Sequence, residues 1–127
     1  MIQRRLLAAA LSILVTGAVA AARADDDSTS GRGQLDKILA VLRLHTEAAS
    51  KACLSAMTEV HETEKQVAAH QNDAANHTDL DIAHDVLESD YQNSSQICGA
   101  DAARVCRNGA TGPLAAPCAA IQTVPPQ

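Results

Sequence analysis

A single aromatic side chain, Tyr91, has to serve the whole chain; there is no Trp and no Phe among its 127 residues. Aromatic rings bury the most area per residue, so a chain without them fills its interior with Leu, Ile, Val, Met and Ala and gains less from doing so. Alanine-rich apolar sequence with few strand formers suits closely packed helices, and the expected class is all-α. A small domain with so lean a core relies on disulfides or on a partner subunit. The chain carries four cysteines.

The N-terminus decides how those cysteines are read. Arg4 and Arg5 precede an apolar run over 6–15, and small residues then lead to Ala22-Arg23-Ala24 ahead of Asp25-Asp26-Asp27. A positive n-region, a short apolar h-region and an A-x-A end describe a secretory signal peptide over 1–24. An uncleaved anchor wants about 20 apolar residues, whereas Gly17, the alanines and the A-x-A end favour cleavage. Membrane contact is then expected only through the uncleaved signal during export. The alanine-rich style points to a bacterial periplasm, or to secretion, where disulfides form and persist. Loss of Arg4, Arg5 and Arg23 leaves seven basic against fifteen acidic residues, a net charge of −8 with His neutral. Such a surface repels nucleic acid and anionic lipid heads, so no nucleic-acid partner is expected.

The remainder divides into an acidic, Ser/Thr-rich disordered leader over 25–33, a helical hairpin domain over 34–108 and a Pro/Ala-rich tail over 109–127. A long helical pattern starts near Gln34. Leu39, Leu42, Thr46, Ala49, Cys53, Met57, Val60 and Val67 recur at three- and four-residue steps with no proline between them. The pattern fades at Gln71-Asn72-Asp73. A second helix starts near Thr78, a good N-cap with Asp79 and Asp81 in its first turn. Its stripe is Ala83, Leu87, Tyr91, Ser94, Cys98, Ala102 and Val105. Gly99 is a candidate break, with Asp101 capping a short further helix, and Asn108-Gly109 is a stop. The four prolines that follow make the tail a short helix at most, otherwise irregular.

Two helices joined by a short polar turn form an antiparallel hairpin. Its turn is centred between Ala75 and Asn76; Cys53 lies 22 residues before Ala75 and Cys98 lies 22 after Asn76. Both also fall on the apolar stripe of their helix. The expected pairing is therefore Cys53–Cys98 across the hairpin and Cys106–Cys118 tying the tail to the helix end. Of the three pairings that four cysteines allow, the one with Cys98–Cys106 would span about 12 Å within an unbroken helix, too far for a disulfide. A break at Gly99 would reopen it.

The stretch 35–44 is apolar round most of its circumference, whereas a two-helix hairpin buries one stripe. Tail residues Leu114, Ala115, Ala116, Ala119, Ala120 and Ile121 are one candidate cover. The other is a second copy or another envelope protein seated on Leu35, Ile38, Val41 and Leu44, the expected interaction surface.

Chemistry-bearing residues gather elsewhere. His70, His77 and His84 are spaced by seven, and with Asp81 they could converge on one ion at the hairpin tip; imidazole with carboxylate suits Zn, Ni or Cu. A pH-responsive tip is the milder form of that reading. Against both, His77 sits in the turn and the heptad need not share a face. His61-Glu62-Thr63-Glu64-Lys65 opens like the zinc-protease H-E-x-x-H but places Lys65 where the second ligand belongs. No C-x-x-C, phosphate loop or haem attachment motif occurs, and no triad is indicated. The expected function is a small exported non-catalytic helical protein acting by protein–protein interaction, as an envelope accessory or adaptor, with no cofactor. The alternative is a metal-binding or metal- or pH-sensing protein of the periplasm.

Overall fold

The computed structural model describes residues 30–72, 75 and 77–122. The signal peptide and most of the acidic leader lie outside the described residues. Four α-helices follow in order: α1 Gly31–Leu42, α2 Lys51–His70, α3 His77–Arg107 and α4 Ala115–Gln122, with single 3-10 turns at Thr46–Ala48 and Gly112–Leu114. Among the described residues there is no strand. The all-α expectation holds, but the two-helix hairpin is corrected to a four-helix arrangement.

The correction has a physical cause in helix length. Leu44 and Arg107 are equidistant from the α2–α3 turn, so α3 ends where residue 44 would stand beside it. A single helix running from α1 into α2 would push the most apolar turns of the chain past the end of their partner and into water. The chain instead turns back after Leu42. Ser50 then restarts the helix as N-cap, its Oγ accepting from the Cys53 N–H at 3.1 Å. Residues 31–33, expected in the acidic leader, belong instead to α1. Ser30 caps α1 by accepting from the Gly33 N–H, which draws the Gly31–Gly33 stretch into the first turn.

Helix α3 is the central rod. α2 runs antiparallel beside it, and α1 packs on it in parallel, with Gly31 against Tyr91 and Ile38 reaching Gly99. Gly31 is a close approach: a Cβ there would stand 2.7 Å from Glu88 Oε1 and 3.1 Å from Tyr91 Cβ. Its N–H donates to Glu88 Oε1 at 3.0 Å and its carbonyl accepts from Ser95 Oγ. Gly99 does not break α3, so Asp101 is a mid-helix residue and not a cap. Its carboxylate instead accepts the Ser50 N–H at 2.7 Å and pairs with Arg104, fastening the start of α2 to α3.

The core has two lobes. One holds Ile38, Val41, Leu42, Cys53, Cys98, Ala102, Leu114 and Cys118; the other holds Leu35, Val60, Val67, Leu87 and Tyr91. Leu39 and Met57 pack against both and join them. The disulfides are Cys53–Cys98 and Cys106–Cys118, with Cα separations of 4.8 and 5.6 Å. The short C-terminal helix expected in the tail is α4. Gly109 and Gly112 take positive φ (142° and 57°) to reverse the chain after α3, and α4 then packs back on α1. Two disulfides in so small a chain fit maturation in an oxidising compartment. No described helix is long and apolar enough to cross a membrane.

Candidate functional site

The helix α1 that the reversal creates does not close onto α2. Both pack along α3, and the gap between them is bridged mainly by side chains. A groove results, in two compartments of about 180 Å³ each. The upper one lies between Arg32, Asp36 and Leu39 of α1 and Met57, His61 and Glu64 of α2, with Tyr91 of α3 behind them. The lower one is lined by Leu39, Leu42 and Arg43 on one side and Thr46, Ala49, Cys53, Leu54 and Met57 on the other. Leu39 and Met57 line both, so the two compartments adjoin at these side chains and follow one another along the length of α1. At 1.5 Å per residue that length is about 18 Å.

The two compartments differ chemically. The upper one holds a polar chain: Tyr91 Oη donates to Glu64 Oε1 at 2.7 Å, and His61 Nδ1 stands 3.9 Å from Glu64 Oε2. Burial, and then the bond to the Glu64 carboxylate, push the Tyr91 phenol up to about 12. A phenol held so high stays protonated at neutral pH and serves as a donor, not a nucleophile. At the neighbouring residues, Thr63 Oγ1 donates to Asp90 Oδ2 at 2.6 Å, so a second side-chain bond pins α2 to α3 beside the first. The lower compartment is walled almost wholly by apolar atoms, with Arg43 and Thr46 at its edge, and Leu54 in its wall is 57% exposed.

Leu35, Ile38 and Val41, expected to present an interaction surface, are instead buried, Leu35 with α2 and α3 residues and Ile38 and Val41 with residues of α3 and α4; Leu44 alone of that set is open, at 48% exposure. The tail provides the cover through Leu114 and Ile121. The exposed apolar wall therefore moves across the gap to Leu54 and Met57. Leu54 has a signal in the sequence, since it directly follows Cys53 and widens the α2 stripe by one position. The gap it borders depends on where α1 lies, which periodicity does not report.

At the hairpin tip His77, Asp81 and His84 are exposed and His70 is half-buried. Among the described residues no three His, Cys, Asp or Glu side chains come together to hold one ion, and Asp73 of the connecting turn lies outside the described residues. All four cysteines are consumed by disulfides. At the opposite end His45 Nδ1 lies 3.0 Å from Glu47 Oε1, and a backbone hydrogen bond followed by that imidazole holds the Glu47 carboxyl below its ordinary range. No known protein family, curated protein or solved structure matches this chain.

Proposed function

We propose that the protein is a small exported adaptor or accessory of the cell envelope, without catalysis, that works by holding another protein in the α1–α2 groove. The observation that carries this reading is the pair of adjoining compartments between α1 and α2, with the apolar lower wall of Leu39, Leu42, Leu54 and Met57. The gap that α1 and α2 leave between them on α3 offers a berth for one further helix. An amphipathic helix of about three turns, presenting apolar residues at i, i+3 or i+4 and i+7, matches the length of α1 and the mode by which grooves take helices. The leader pattern over 1–24 and the disulfides support the envelope as the place of work.

The test compares the oxidised protein with Leu54→Lys, in the groove wall, and Ile82→Lys, an exposed apolar position on α3 outside it. Light scattering reports self-association, and cross-linking in envelope extract reports a foreign partner. The groove reading expects a defined complex with the wild type and Ile82→Lys proteins and its loss with Leu54→Lys. A strict monomer that captures nothing, or loss of the complex with Ile82→Lys alone, contradicts it.

A further inference from the structure

The two disulfides have different surroundings. Cys53 and Cys98 are 1% and 0% exposed, in the lobe that also holds Ile38, Val41, Leu42 and Ala102. Cys118 is equally buried, but Cys106 is half-buried in the last turn of α3, beside exposed Arg107 and Asn108. An external thiolate therefore has a more open approach to Cys106 than to the Cys53–Cys98 pair, of which only Cys53 borders the lower compartment, at 1% exposure.

What the accessible bridge holds is also distinct. α4 has eight residues, too few to stay helical alone. It is kept on the bundle by Leu114 at its entry, Cys118 and the half-buried Ile121. Beneath them lie Ile38, Val41 and Leu42 of α1, in the same cluster. Leu42 also lines the groove, so the surface under α4 is continuous with it.

We infer that Cys106–Cys118 is a reducible latch, and that opening it frees α4 and uncovers an apolar face of Ile38, Val41 and Leu42 while Cys53–Cys98 keeps α2 and α3 joined. The reductant is a dithiol. Its thiolate attacks Cys106 Sγ, the Cys106–Cys118 bond breaks, and Cys118 leaves as a thiolate that takes a proton. The second thiol of the reductant then attacks the mixed disulfide, releases Cys106 as a thiol and leaves as its own disulfide, so two electrons pass to the protein. This device stands whether or not the groove holds a partner.

Graded dithiothreitol under native conditions, followed by alkylation and peptide mapping, tests the first half. Cys106 and Cys118 are expected to be labelled at a reductant concentration at least about tenfold below that needed for Cys53 and Cys98, given the dependence of exchange on access. Hydrogen exchange on oxidised Cys106→Ser plus Cys118→Ser protein tests the second half without a bulky label. Lost protection over α4 and the last turn of α1, with α2 and α3 unchanged, is expected. Simultaneous opening of both bridges, or a double variant whose α4 is protected as in the wild type, overturns the latch.

Discussion

Cys53 and Cys98 stand at equal chain distance from the α2–α3 turn and are joined with their Cα atoms 4.8 Å apart. The relationship follows from the geometry of an antiparallel pair, in which equal residue counts from the turn give equal heights. The bridge sits in the core lobe of Val41, Leu42 and Ala102, where no aromatic ring contributes. In a core built from small side chains, cross-linking of the unfolded chain is a large share of the stability.

Replacing both residues, Cys53→Ala with Cys98→Ala, is accordingly expected to lower the unfolding free energy by about 4 kcal/mol, the loop-entropy value for a closure of this length. Urea denaturation of oxidised wild type and variant measures it. A difference below about 1 kcal/mol would show that the unfolded chain is constrained by other means.

That pairing was legible in the sequence, and so were the all-helical class, the α2–α3 turn and the stop at Asn108-Gly109, because each rests on counting or on local turn chemistry. The break between α1 and α2 was harder to see. No glycine or proline marks it, and the apolar rhythm through Leu39, Leu42, Thr46, Ala49 and Cys53 continues across it. Two signals were present: Ser50 three residues before Cys53, a cap in waiting, and the all-round apolar character of 35–44, which belongs to a helix covered on several sides. The groove was not legible, since it depends on how far α1 stands from α2 along α3, and neither period nor propensity encodes that spacing.

Tyr91 supplies its own readout, because it is the sole aromatic residue. Its phenol is pushed up to about 12 by burial and by Glu64, above the ordinary 10.0. A folded-state value above the unfolded one favours the protonated fold, so this contribution is complete below pH 10 and is lost as pH rises through about 12. Near-ultraviolet absorbance titration should give a late phenolate transition in the native protein and an ordinary one in urea. Glu64→Gln should bring the native transition down, though not fully, since burial remains the larger cause. An ordinary native transition would contradict the Tyr91–Glu64 bond.

Asp101 links pH to the junction of α1 and α2. Burial alone would raise its carboxyl; the Ser50 N–H and Arg104 outweigh that and hold it below the ordinary 3.8. A depressed folded value contributes stability above the unfolded pKa, and that contribution is lost as pH falls through the folded one. Asp101→Asn should therefore cost about 1–3 kcal/mol near neutrality, the range of a charge-assisted hydrogen bond. The gap between wild type and variant should narrow as pH drops below about 4. Urea melts at several pH values test it, and a gap that widens in acid would refute the role.

Ser94 is 1% exposed on the inner stripe of α3, and its Oγ is the one buried side-chain polar atom without a hydrogen-bond partner among the described residues. Removing an unsatisfied buried hydroxyl relieves a desolvation cost, so Ser94→Ala is expected to raise stability by about 1 kcal/mol. Thermal melting of the oxidised pair settles the sign. A loss would mean that the hydroxyl is satisfied in solution.

Photo-cross-linking in the native envelope tests most directly whether the α1–α2 groove is where this protein meets its partner. A photo-reactive side chain is placed at Leu54, in the groove wall, and for comparison at Gln96, exposed on α3. The groove reading predicts one discrete adduct from position 54 and none from position 96. No adduct from 54, or the same adducts from both positions, would contradict it.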